Sequence, residues 1–227
     1  MRVTLAMLVL FTAFPAFCYD VSGLFVRTGY ANIDFREESG FVRLNESFDL
    51  GKISVESQHS PIITFGKKFG DRWGVEFLIP FSPLELAAGG KGGYIEGLTV
   101  GTVDVWPAAM NLQFYPFETR WMRPYLGVGV NYCYVNNVQL NKNTTHSLGI
   151  QRVESIDAKS GIGMVLQVGM DIPITPKLMI NLSSTYLEAD LNASASFYAN
   201  GARSTLSTQM GVKASPNLTV VGISYRF

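Results

Sequence analysis

With residues 1–18 set aside, the chain keeps a single cysteine, Cys133, so no intrachain disulfide can form even in an oxidising compartment. Histidine is almost as scarce. His59 and His146 are the only two, and no Cys/His cluster has the spacing of metal ligands, which argues against a metal centre. Charge of either sign is sparse, 16% of residues, and 18 basic side chains balance 18 acidic ones. The basic residues are scattered rather than clustered, which argues against a nucleic-acid partner. Beyond residue 18 there is no uninterrupted apolar run of the length a transmembrane helix needs. Yet mean hydropathy is +0.17, high for an average secreted globular domain. A closed membrane β-barrel reconciles these facts, because alternating strands span lipid and closure leaves no open edge. A soluble β-sandwich or lipocalin-like barrel is the competing class on pattern alone.

What is present begins with a leader. Arg2 supplies a short positive region, and Val3 to Phe14 is an apolar run too short to span a bilayer comfortably. Pro15 breaks it, and Ala16 and Cys18 place small residues at −3 and −1 of a cleavage site. Residues 1–18 are therefore expected to be a secretory signal peptide, with residues 19–227 forming the mature domain and Tyr19 its first residue. Phe17 is too bulky for a good lipidation motif at Cys18.

Eight strands with period-two alternation follow. They lie near Val21–Asn32, Pro61–Phe69, Trp73–Ile79, Val105–Tyr115, Leu126–Tyr134, Gly161–Asp171, Leu178–Tyr186 and Leu218–Phe227. The fifth is the clearest: Leu126, Val128, Val130, Tyr132 and Tyr134 face one way, and Gly127, Gly129, Asn131 and Cys133 the other. Links after strands two, four and six are short, and those after one, three, five and seven are long and rich in Gly, Ser and Asn. That asymmetry predicts short periplasmic turns, long external loops and both termini in the periplasm. The stretches Phe35–Phe48 and Ala87–Thr102 suit either a helical turn or a β-extension. Aromatic residues form two bands, as membrane interfaces favour. Phe69, Trp73, Phe114, Trp121, Tyr225 and Phe227 gather at the turn ends, and Tyr30, Phe81, Tyr132, Tyr134 and Tyr186 at the loop ends. The fold class is thus all-β: an eight-stranded antiparallel up-and-down transmembrane barrel.

Several segments carry a family resemblance. Arg123-Pro124-Tyr125-Leu126-Gly127-Val128-Gly129-Val130-Asn131-Tyr132 resembles the fifth-strand signature of the OmpW-type small outer-membrane proteins. Gly163, Gln167, Gly169 and Asp171 resemble the sixth, Trp73-Gly74-Val75-Glu76 the third-strand opening, and Ser224-Tyr225-Arg226-Phe227 the usual ending. The resemblance implies a narrow pore or uptake route for small, mainly hydrophobic molecules; a charged, packed lower lumen that blocks straight passage would send them out sideways between strands into the lipid. It also implies that terminal Phe227 is read by the barrel-assembly machinery. There are departures: Pro107-Ala108-Ala109 stands where the family has Pro-Pro-Thr, Ile162 where a tryptophan is usual, and Thr185 where an aromatic is frequent. They imply an internal apolar pocket lined differently from that of relatives.

The inward parity carries Arg27, Lys68, Glu76, Asp171 and Arg226 among glycines and small polar residues. Charges in so narrow a lumen need partners, and an eight-stranded barrel is only just wide enough for its own side chains. A salt-bridged plug is favoured over a selectivity filter for most of them. Asn131, Cys133, Ser183 and Thr185 are the candidates for lining the upper lumen. Gly127, Gly129, Gly163 and Gly169 make room for long neighbours or permit curvature, so Gly129→Ser is expected to be milder than arginine at Val128. His146 and Ser147, with Glu154 nearby, suggest a hydrolytic site only if loop geometry assembles them, and no catalytic residue is assigned. No cofactor is expected. The expected partners are outer-membrane lipids, the assembly machinery and a small hydrophobic solute, with the chain a monomer. The alternative is a non-transporting barrel that displays its loops for adhesion, phage or host contact.

Overall fold

The structure, a computed structural model, describes residues 22–38, 41–44, 48–93, 96–97, 99–141, 150–188, 190–199, 202–208 and 212–227. The expected leader and the pair His146 and Ser147 lie outside these residues. Among the described residues, fourteen strands form one sheet, labelled in chain order. Eight close a barrel: β1 (Leu24–Glu38), β4 (Gln58–Phe69), β5 (Trp73–Pro80), β7 (Thr99–Phe114), β8 (Arg123–Leu140), β10 (Gly161–Pro173), β11 (Leu178–Leu187) and β14 (Val212–Arg226). Each pairs antiparallel with the next along the chain, and β14 returns to β1. The closing strand is tied at its end: the Arg226 amide donates to the Lys177 carbonyl (2.8 Å) and the Phe227 amide to that of Leu24 (3.0 Å).

The other six strands settle the question left open in the long links in favour of a β-extension. They are β2 (Phe41–Leu44), β3 (Phe48–Val55), β6 (Leu84–Lys91), β9 (Ile150–Lys159), β12 (Asp190–Ala199) and β13 (Ala202–Thr208). From the upper half of β7 the pairing runs through β6, β3, β2 and β13 to β12, which also meets β14 and β9. At the opposite end the connections are short. Gly70, at φ 60°, turns β4 into β5, where only a residue tolerant of the left-handed region fits without strain.

Alternation sorts the side chains as the sequence predicts. Phe65, Phe77, Leu112, Val128, Leu166, Val168 and Ile223 face outward and exposed around the barrel, flanked by exposed Trp73, Trp121 and Phe227 at the turn ends and Tyr30, Phe81 and Tyr132 at the loop ends. An apolar belt on the outside of a closed sheet is stable only in lipid. Two glycines answer a different need. A Cβ on Gly163 would lie 1.6 Å from the Glu188 carbonyl oxygen, and one on Gly129 would lie 1.9 Å from that of Met110. Both obstacles are backbone, so Gly129→Ser is not mild, contrary to the sequence expectation: it must push strands apart.

Candidate functional site

Three inward charges from distant parts of the chain meet in the lower barrel. Arg27 on β1 donates through Nη1 to Glu76 Oε1 on β5 (2.6 Å). Its Nη2 and Nε grip Asp171 of β10 at 2.6 and 3.2 Å. The planar fork of a guanidinium suits this two-oxygen grip. The guanidinium also lies over the rings of Phe25 and Tyr125, at 4.2 and 4.7 Å. Those two rings occupy the space that Gly66 and Gly169 leave, since a Cβ on either glycine would fall within 2.3 Å of them.

The carboxylates are saturated by neutral donors. Glu76 accepts from Thr64 (2.8 Å), Gln113 (2.8 Å) and Gln167 (2.9 Å) as well as Arg27. Asp171 accepts from Asn181 (2.8 Å), which also donates to the Tyr125 hydroxyl (2.9 Å). Tyr115 accepts from Arg27 and donates to Gln113. Arg27, Glu76 and Asp171 are all under 5% exposed. A buried charge costs several kcal/mol unless paired and hydrogen-bonded, and here every charge has at least two partners. The cluster obstructs the lumen: each of the clefts above and below it has room for about one water molecule.

Lys68 and Arg226 lie nearer the turn end, apart from this triad. Lys68 pairs with Glu118 and sits over the Tyr115 ring at 4.3 Å. Glu118 is held by a turn in which Thr119 donates its amide to the Met122 carbonyl (3.0 Å) and accepts the Met122 amide on its hydroxyl (3.0 Å). Of the candidates for the upper lumen, Asn131, Cys133 and Thr185 are buried, and half-buried Ser183 lines the cleft above Arg27. Asn131 donates to the Glu188 carbonyl at 2.9 Å. Ile162, by contrast, is 74% exposed on the outer face, so that departure from the family pattern does not reshape the interior. His59 is exposed against the Tyr30 ring, and Glu154 lies on β9.

Above the cluster the interior is oily. Ile33, Ile62, Leu78, Val105, Val165 and Leu218 belong to one buried cluster with Cys133. This layer borders an interruption in the strand pairing of the barrel wall. The β5–β7 ladder ends at Leu78↔Ala109, and the β6–β7 ladder begins only at Leu84↔Val105. Between them stand Pro80 and Pro83 on one side and Pro107 on the other, none with an amide hydrogen to donate. Leu78, Leu84, Val105 and Ala109, which bound the break, all belong to the apolar cluster. Residues that the sequence reading did not single out complete the site. Tyr115, Tyr125 and Gln113 stand on the inward parity, a signal that was available, whereas Glu118 sits in a turn where parity has no meaning.

Known proteins share this architecture. Outer membrane protein W of Vibrio cholerae is 26% identical over 98% of this chain and 97% of its own length. The dibenzothiophene metabolism operon protein PahQ of Pseudomonas aeruginosa is 23% identical over 94% of this chain and 96% of its own. The crystal structure of outer membrane protein OprG from Pseudomonas aeruginosa superposes with a TM-score of 0.77 at 25% identity, covering 91% of this chain and 96% of that one. Since the OmpW family profile also matches residues 21–227, nearly the whole chain, this bacterial outer-membrane barrel belongs to the OmpW family.

Proposed function

We propose that the barrel takes up small, mainly hydrophobic molecules from outside the cell and releases them sideways into the outer membrane. The observation that supports this reading is the proline-flanked stretch without ladder pairing, where the wall beside the apolar upper lumen lacks strand-to-strand hydrogen bonds just above the charge cluster. A solute descending the barrel meets Arg27, Glu76 and Asp171, where passage would require separating paired buried charges. Sideways movement between Pro80–Pro83 and Trp106–Ala108 would keep it among mostly apolar groups and away from those charges. A relative named for dibenzothiophene metabolism supports a solute of this kind. As an OmpW-family barrel, the protein is not an enzyme. In this reading the short turns and both termini face the periplasm, residues 1–18 are removed on export, and Phe227 is presented to the assembly machinery.

Binding is the first step to test. In lipid nanodiscs, a small apolar probe should shift the methyl signals of Ile62, Leu78, Val105 and Leu218 more than that of Met179, which lines the cleft below Arg27. Shifts confined to outward methyls such as Val128 and Leu166 would mean the probe only dissolves in lipid. That outcome would favour display of the six-strand extension, the one structural feature that speaks for a loop-presenting role.

A further inference from the structure

The cleft beneath Arg27 is short of negative charge. Arg27, Lys68, Arg123 and Arg226 line it, against Glu118, Asp171 and the Glu76 carboxylate that holds Arg27 from above, a surplus of one cation. Asp171 is already committed to Arg27 and Asn181. Glu118 is shared between Lys68 and Arg123, whose Nε lies 3.5 Å from it, within ion-pair reach but without a hydrogen bond. Arg226 makes no ion pair among the described residues, and its charge bears on both Lys68 and Arg123. Clustered cations in a narrow lumen repel one another at much more than the cost in water.

Two donors point to what is missing. Ser224, which lines this cleft, is wholly buried at 0% exposure, and its hydroxyl has no hydrogen-bond partner. The buried Arg123 Nε–H likewise lacks an acceptor. Buried donors are almost always satisfied, and an acceptor-only particle carrying negative charge would satisfy both while offsetting the surplus. The space is close to that of one water molecule, which favours a monatomic anion over a polyatomic one.

We propose that this cleft at the turn end of the barrel binds a single small inorganic anion of chloride size, held by Arg123, Arg226, Lys68 and the Ser224 hydroxyl. The bound anion neutralises the lower plug and leaves the plug closed. This inference does not depend on the upper lumen carrying a solute.

Purified barrel refolded in zwitterionic micelles should unfold on heating with a midpoint about 2–4 °C higher in sodium chloride or bromide than in sodium gluconate at equal ionic strength, by binding linkage. The difference should vanish in Arg226→Gln and shrink in Ser224→Ala, and persist in Arg120→Gln, an exposed turn residue. Because Arg226 adjoins the closing end of β14, Ser224→Ala serves as the independent variant if Arg226→Gln does not refold. Chloride-35 NMR of the wild type gives the direct readout: line broadening that bromide competes away. Equal midpoints in chloride and gluconate, or an undiminished difference in the refolded variants, would overturn the proposal.

Discussion

Replacing Arg27 with methionine is expected to destabilise the folded barrel by about 3–5 kcal/mol, the usual cost of orphaning buried ion partners. Arg27 is the single cation between two buried carboxylates, Glu76 and Asp171, each 2.6 Å away. Methionine would fill much of the space over Phe25 and Tyr125 but leave both acids without their countercharge. Thr64, Gln113, Gln167 and Asn181 would still donate to them, which moderates the loss without removing it. The triple change Arg27→Met, Glu76→Gln, Asp171→Asn should therefore recover much of the stability, since neutral amides keep the hydrogen-bonding layer. Reversible urea unfolding in lipid vesicles measures all of these. A loss under ~1 kcal/mol for the single variant, the range of exposed ion pairs, would show that water enters the cluster.

Arginine at Val128 should cost about 2–4 kcal/mol in the same assay, because that side chain points into lipid near the middle of the membrane band. Val128 is 51% exposed on the outer face and sits opposite outward Leu112 and Leu166 on the neighbouring strands. The next residue, Gly129, separates two kinds of damage. Gly129→Ala carries no charge, yet it too should lower stability because its Cβ meets the Met110 carbonyl. Arginine at Val128 should become less harmful in a detergent whose headgroups reach the strand, whereas the steric conflict at Gly129 should not. Full tolerance of arginine at Val128 would mean the register is off by one residue, which exchanges inside for outside.

Much of this organisation was legible because a membrane barrel applies one rule to every strand. The rule is alternation, and in the fifth strand it sends Leu126, Val128, Val130, Tyr132 and Tyr134 toward lipid, where all five are exposed. Beyond the membrane that rule lapses. The Gly-, Ser- and Asn-rich links have no lipid-facing side to mark, so their continuation as β-extension could not be decided from pattern. Within the barrel, Tyr115 and Tyr125 escaped notice because tyrosine is also an interface residue, and only register shows that they hold the Arg27 layer. Pro107 was visible as a departure from the family's Pro-Pro-Thr sequence. Its meaning needed the pairing of β7, which leaves Pro107, Pro80 and Pro83 all within the stretch that has no β5–β7 or β6–β7 ladder. Which inward charges pair with which is likewise long-range information: Arg27 and Asp171 are 144 residues apart.

The proposed route runs among apolar groups from the upper lumen to the lipid and bypasses the charge cluster. Ala109 stands at the last rung before the break, 3% exposed within the apolar layer. Liposomes carrying the wild-type barrel should take up a small apolar probe faster than protein-free liposomes, while uptake of a sugar of similar size stays unchanged. Ala109→Trp should abolish most of that acceleration, with the barrel still folded by its resistance to unfolding in detergent without heat. Equal probe uptake with and without the wild-type protein, across several apolar chemotypes, would show that the barrel offers no such route.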